Sequence, residues 1–271
     1  MSVINTNVSA LRAQNAMTVN ARAQSTAMQQ LSTGSKVNSA KDDAAGLAIG
    51  QSMTSQVRGL NQAVRNLNNG VNMMQVAEGS LVETTNILQR MRELAVQSAN
   101  GTLSNTQRGY LQLEFSALSS QIDKISTDTK WNDQSVLSSS TTFTFQAGMS
   151  SGQTVAVSIS GMNVADLGLS AAATVGTITN AIGSLALLDT AIGLVNTQRA
   201  KIGAGINQMT YAVDNVSNVA ANTAASRSTI MDTDYATAST QLSKTQIIQQ
   251  AATAMLAQAN QQPQSVLALL K

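Results

Sequence analysis

From Ile49 to Ala95 the chain sets an apolar or small residue at Ile49, Met53, Val57, Leu60, Val64, Leu67, Val71, Met74, Ala77, Leu81, Leu88, Met91 and Ala95. The steps are threes and fours, and Thr84 or Thr85 fills the one gap. The mean step is about 3.5 residues, the period at which an apolar seam keeps facing a partner helix. No proline interrupts it. The pattern predicts a helix over residues 42–99, roughly 85 Å long at 1.5 Å per residue, with Asn100-Gly101-Thr102 as its stop. Leu111, Leu118, Ile122 and Ile125 mark a second helix, and residues 127–135 then read as a loop. The period changes to two at 141–148 and again at 154–160, with the turn residues 149–153 between them, which predicts a β-hairpin. Residues 161–177 carry no period. Ile182, Leu185, Leu188, Ile192, Val195, Ile202, Ile206, Met209, Val213, Val216 and Ala220 then mark a third long helix, whose stripe can pair with the first in an antiparallel coil. The expected fold is mainly α: a long antiparallel helical coiled-coil rod with a small β-hairpin region.

Composition sharpens this picture. Of 271 residues only Trp131, three Tyr and three Phe are aromatic, and Pro263 is the one proline. Small side chains allow close helix contacts but bury little area each, which favours long packed helices over a thick core. The net charge of +2 implies no strong pull toward nucleic acid or an anionic membrane. Cysteine is absent, so disulfides, thiol catalysis and thiolate metal sites are excluded. Histidine is absent too, which removes the commonest general base and metal ligand. The first thirty residues lack the pattern of a cleavable signal peptide, and no uninterrupted apolar run is long enough to suggest a membrane span.

The two ends are alike. Residues 1–35 carry only Arg12 and Arg22 as charges, and residues 236–271 only Lys244 and Lys271; neither has an acid. Each keeps a weak helical stripe: Ile4, Val8, Leu11, Met28 and Leu31, then Leu242, Ile248, Met255 and Leu256. Such segments have little charge for water and little bulk for folding alone. They are expected to order against copies of themselves.

Three short motifs invite chemical readings. Asp42 and Asp43 follow Ser39 in the spacing of a helix cap, so Ser39 and Asp42 are expected to start the long helix, with both acids in its first turn. Residues 148–152 match the G-x-S-x-G elbow in form, but a hairpin loop is the wrong context and no histidine can complete a triad. Gly203 and Gly205 lie within a helical pattern and point to a close helix contact or a bend, not a dinucleotide site. On the long helix Ile87, Arg90, Leu94 and Gln97 point away from the main stripe, which suggests a second packing surface. No catalytic, cofactor or metal site is expected.

Five strings carry a family resemblance: SVINTNVSALRAQ (2–14), LSTGSKVNSAKDDAAGLAI (31–49), LQRMRELAVQSANGT (88–102), VSNVAANTAASRSTIMDTDYA (216–236) and QIIQQAATAMLAQANQQPQSVLALL (246–270). In them the chain resembles bacterial flagellin, the subunit of the flagellar filament, in a short form with little or no variable outer domain. The resemblance implies an N-terminal inner-core helix over 1–40 and long outer-layer helices over 41–137. A β-hairpin and loop over 138–177 stand at the place of the outer insert, a third long helix covers 178–229, and a C-terminal inner-core helix covers 230–271. The terminal helices would pair into an inner tube on assembly. Trp131 and Asp133 stand where the family has Phe and Gly in a turn, and Met209 stands where an aromatic is expected.

The resemblance implies a structural, non-enzymatic protein that polymerises helically for swimming motility; a hook–filament junction protein is the alternative. Implied partners are copies of itself, an export chaperone on the C-terminal segment, hook-associated junction and cap proteins, and the animal innate-immune flagellin receptor. Export would run through the flagellar type III pathway, to the outside of the cell. Resemblance also carries a receptor and subunit contact onto Arg90, Leu94 and Glu114. Ser138, Ser139, Ser140, Thr141 and Thr142 cluster beside the hairpin as candidates for O-glycosylation.

Overall fold

The computed structural model describes residues 6–170 and 173–268, with side-chain surroundings given through Gln261. In chain order its elements are α1 (Val8–Thr33), α2 (Ala44–Ser98), α3 (Asn105–Asp128), β1 (Lys130–Trp131), β2 (Gln134–Ser135), β3 (Thr141–Gln146), β4 (Thr154–Ile159), α4 (Ile178–Met231) and α5 (Tyr235–Ala268). Contacts divide the chain into two units, 1–57 with 221–271 and 58–220, and both boundaries fall inside α2 and α4.

The second unit is an antiparallel helical bundle with a hairpin. Its register follows from paired contacts. Arg92 Nε donates to Asp189 Oδ1 at 2.7 Å, Arg199 Nη2 donates to Glu78 Oε1 at 3.0 Å, and Leu60 and Ala63 pack with Val216 and Ala220. Rising numbers on α2 thus meet falling numbers on α4. The α2 stripe supplies Leu67, Met74, Leu81, Leu88, Met91 and Ala95 to one core, α3 adds Phe115 and Ile122, and α4 adds Leu188, Val195, Ile202 and Met209. This is the seam that the 3.5-residue period predicts. By length and a mean hydropathy of 1.6 over 18 residues, α4 could cross a membrane. Gly, Thr and charged residues punctuate it, and in this fold Leu188, Val195, Ile202 and Met209 line the core while Ile182 and Leu194 are exposed.

The hairpin pairs Thr141–Gln146 with Thr154–Ile159 in antiparallel register, and Val155, Val157 and Ile159 alternate inward. Two glycines let it lie close to the helices. A Cβ on Gly205 would stand 2.8 Å from Val157 Cγ2, and one on Gly70 would stand 2.8 Å from Met209 Sδ and 2.9 Å from Phe145 Cδ1. Gly205 therefore marks the close helix contact read from the sequence, while Gly203 meets nothing within 4 Å.

One expectation needs correction. Residues 127–135 are not a plain loop: α3 runs to Asp128, and β1 and β2 then form a minimal hairpin with Lys130 opposite Ser135 and Trp131 opposite Gln134. Asn132 (φ 49°) and Asp133 (φ 63°) turn it, both left-handed. That is the backbone of a two-residue I′ turn, which short polar side chains tolerate without glycine. The patternless segment after the hairpin is also structured, since Met162, Val164, Leu167, Leu169 and Val175 are all buried in the core.

In the first unit α1 and α5 run antiparallel. Asn20 Nδ2 donates to the Thr245 carbonyl at 2.8 Å and Asn7 Nδ2 to the Ala259 carbonyl at 2.8 Å. Asn7 caps α1 by accepting from Ala10 N–H, and Gly34 ends it in the left-handed conformation. Asp234 starts α5. Its carboxylate accepts from the Thr237 hydroxyl and from the Ala236 and Thr237 amides, and these bonds hold it below the usual carboxylate range.

Gly205→Ala is expected to destabilise the protein by about 1–3 kcal/mol through overpacking against the stiff Val157. Gly203→Ala, facing open space, is expected to stabilise it by about 0.5–1 kcal/mol. Chemical denaturation of the two variants checks both signs.

Candidate interaction site

The turn at 99–104 sends α3 back along α2, and this reversal assembles the site. Ser104 caps α3 with a complete capping box: its hydroxyl accepts from Gln107 N–H while Gln107 Oε1 accepts from Ser104 N–H. With the helices antiparallel, residues 24 positions apart meet. Arg90 Nε donates to Glu114 Oε1 at 2.9 Å, and Arg90 Nη1 donates to Glu93 Oε2 at 3.0 Å. The side chains of Arg90 and Glu114 remain 50% and 45% exposed. Glu114 first, then Glu93, raise the Arg90 pKa further through these hydrogen bonds. Water screens the pair, so it shapes the surface more than it stabilises the fold.

Arg90 and Glu114 thus come together as the sequence suggests, but Leu94 does not join them at the surface. It is 1% exposed and belongs to the same core as Phe115 and Ile122. The second packing surface on α2 is real, but the chain itself covers it. Leu94 is a core residue, and its place as an exposed anchor beside Arg90 is corrected on that ground. Apolar exposure near Glu114 comes from Tyr110 and Leu113 of α3, which are 67% and 70% exposed. They sit one helical turn from Glu114 or beside it. They lie off the α3 stripe, so no periodicity flags them.

The helix start also differs from the expected cap. α2 begins at Ala44, and Asp43 is its cap: Asp43 Oδ1 accepts from Gly46 N–H at 2.9 Å and Asp43 O from Leu47 N–H at 3.0 Å. Asp42 instead closes the preceding turn, accepting at Oδ2 from the Ser39 hydroxyl, Ser39 N–H and Asn38 N–H. The Ser39 hydroxyl bond leads in holding Asp42 below the usual carboxylate range. Ser39 therefore donates to Asp42 where it was expected to cap the helix. The cause is geometric: a turn over 39–42 ends before the helix begins, so the cap falls to the next acid. Among the described residues no group of three or more His, Cys, Asp or Glu could hold a metal.

Of the hydroxyl cluster, Ser138 is half-buried, with its carbonyl accepting from Asn163 Nδ2. Ser139, Ser140, Thr141 and Thr142 are exposed, and the Thr142 hydroxyl shares a hydrogen bond with the Ser158 hydroxyl at 2.9 Å.

With this geometry in hand, comparison with known proteins decides the family. Residues 4–142 match the bacterial flagellin N-terminal helical region, and residues 185–270 match the bacterial flagellin C-terminal helical region. The chain belongs to the bacterial flagellin family. A flagellin of Halalkalibacterium halodurans is 39% identical over 271 residues, spanning 99% of this chain and 100% of that protein. The flagellar filament 33 kDa core protein of Treponema phagedenis is 39% identical over 285 residues, again spanning 99% and 100%. Among solved structures, Bacillus cereus flagellin aligns with a TM-score of 0.51 at 29% identity, over 60% of this chain and 94% of that one. A putative flagellar hook-associated protein of Vibrio parahaemolyticus aligns with a TM-score of 0.59 over 70% of this chain and 99% of that one, but at 15% identity, which speaks to fold alone. As a short flagellin, the chain places between α3 and α4, among the described residues, the small β1–β2 hairpin, β3, β4 and a connecting segment.

Leu94→Ala is expected to cost about 2–5 kcal/mol of stability, as a buried large-to-small change. Arg90→Ala and Glu114→Ala should leave the unfolding midpoint nearly unchanged; thermal or urea melts of the three variants separate the roles. Asp43→Ala should cost about 0.5–2 kcal/mol through the lost cap, and Ser39→Ala clearly less, in the same assay.

Proposed function

We infer that the chain is a structural subunit that polymerises with copies of itself into the bacterial flagellar filament, whose rotation drives swimming. The terminal helix pair carries this inference. Val8, Leu11, Val19 and Met28 of α1, with Ile247, Ile248 and Met255 of α5, are exposed apolar side chains. The same helices hold only Arg12, Arg22 and Lys244 as charges among residues 8–33 and 235–261. Exposed apolar side chains on helices with almost no charge are what a self-association interface needs. The full-length relatives are filament proteins by name, which favours a filament subunit over a junction protein. A purified junction protein should not build long filaments, so polymerisation of this chain alone separates the two.

Finer points extend the same inference. The terminal helices form the inner layer of the filament and order fully on assembly, so ordering entropy offsets part of the contact energy. The C-terminal segment binds an export chaperone before secretion through the flagellar type III pathway, and hook-associated and cap proteins meet the ends of the polymer. The exposed hydroxyls at Ser139, Ser140, Thr141 and Thr142, with the half-buried Ser138, are candidates for O-glycosylation. Arg90 and Glu114 form a contact used both between subunits and by the animal innate-immune flagellin receptor, with Leu94 supporting it from beneath.

Deleting residues 1–35 or 236–271 is expected to leave a soluble, helical protein that cannot polymerise. Normal filaments from either truncated form, seen by electron microscopy, would overturn the assignment of the ends. Receptor activation by monomer is expected to fall with Arg90→Ala and with Glu114→Ala at unchanged stability, and to be lost when the surface is sealed in filaments. Equal activation by wild type and both variants in a reporter-cell assay would remove the receptor contact.

A further inference from the structure

The α2–α3 turn carries chemistry that the interaction surface does not use. The chain has two Asn-Gly pairs: Asn69–Gly70 inside α2, and Asn100–Gly101 in the turn. At the second pair, Arg108 Nη2 donates to the Asn100 carbonyl oxygen at 2.8 Å, and Thr102 N–H donates to the Asn100 side-chain Oδ1 at 3.2 Å. Arg108 is 3% exposed. Its other partners are the Ser98 carbonyl at 2.9 Å and Asn105 Oδ1 at 3.3 Å, so among the described residues no carboxylate neutralises it.

Both contacts favour one reaction. The Asn100 carbonyl and the Gly101 nitrogen belong to the same peptide unit. A buried cation on that oxygen stabilises the negative charge left when Gly101 N–H gives up its proton. The Thr102 N–H on Oδ1 withdraws electron density from the Asn100 side-chain carbon and stabilises an oxyanion there. Gly101 N–H has no acceptor among the described residues, and nothing lies within 4 Å of where its Cβ would stand, so Gly101 is free of a competing acceptor and of crowding even though Arg108 and Leu103 N–H hold the Asn100 carbonyl. Asn69–Gly70 has none of this freedom, since the helix fixes its dihedrals and holds its amides in the hydrogen-bond ladder.

We propose that Asn100 is a self-modifying site, where the Gly101 backbone nitrogen closes onto Asn100 Cγ. The N–Cγ bond forms, the Cγ–Nδ2 bond breaks, and the amide nitrogen leaves as ammonia with the proton taken from Gly101. Water then opens the resulting succinimide at either carbonyl, giving aspartate or isoaspartate. The net change is one water consumed and one ammonia released. The products introduce a carboxylate at the residue whose carbonyl Arg108 holds, and isoaspartate also lengthens the backbone there.

Peptide mapping by mass spectrometry of the full chain, aged in mildly alkaline buffer, tests this. Asn100 is expected to convert at least about tenfold more than Asn69, the ratio that a helix-opening cost of about 1.4 kcal/mol imposes. Asn100 should also convert faster in the folded chain than in the same chain in urea, where Asn69 and Asn100 become equivalent. Gly101→Ala, which enters open space, should slow conversion several-fold, and Thr102→Pro, which removes the Oδ1 donor, should slow it as well. Equal conversion of Asn69 and Asn100 in the folded chain, or an Asn100 rate no higher folded than in urea, would overturn the proposal. So would an unchanged rate in Thr102→Pro.

Discussion

The apolar seam of α2 is the constraint on which the second unit depends. Its 3.5-residue period fixes which face turns inward, and antiparallel pairing with α4 and α3 fixes what it meets. Each large side chain buried there contributes about 1.5–3 kcal/mol, so a slip of one turn would forfeit several such contacts at once. The ion pairs Arg92–Asp189 and Arg199–Glu78 decorate the register that the seam sets. The same register brings Gly70 and Gly205 under the hairpin and Arg90 opposite Glu114.

The helices were legible because their signals are long. Twelve or more spaced apolar positions on α2 outweigh any local ambiguity, and its observed span of 44–98 lies close to the expected 42–99. The β3–β4 hairpin was legible for a similar reason, since two runs of period two flank a turn. What escaped notice was short or aperiodic. The β1–β2 hairpin has two residues per strand, too few to alternate, and its turn uses Asn132 and Asp133 where glycine is the familiar sign. After the β3–β4 hairpin, Met162, Leu167 and Val175 are buried outside any helix or strand, held by side-chain bonds such as Val164 N–H to Asp123 Oδ1 and Val175 N–H to Gln112 Oε1. Such partners are far away in sequence and leave no local trace.

The candidate site was half legible. The resemblance named Arg90 and Glu114, and their meeting depended on the chain doubling back after the Asn-Gly-Thr stop, as it does. Leu94 was misplaced because angular position on one helix cannot say whether a neighbour covers that face; α3 does. The cap slipped by one residue for a related reason. Ser39 and Asp42 have the right spacing for a cap, but the same spacing closes a turn, and Asp43 was then free to accept from Gly46. Arg108 carried no sequence signal at all. An arginine on a helix is usually solvated, and only the fold shows it buried against the carbonyls that end α2.

The terminal helices have a consequence beyond adhesion. Residues 8–33 and 236–261 contain no carboxylate and no imidazole, only guanidinium and ammonium groups. Those faces therefore lack the side chains, carboxylate and imidazole, through which protein surfaces most often respond to acidity. Contacts built from apolar and amide side chains have no such group to switch. A surface so composed is insulated from acidity by its alphabet, whatever the medium outside the cell becomes.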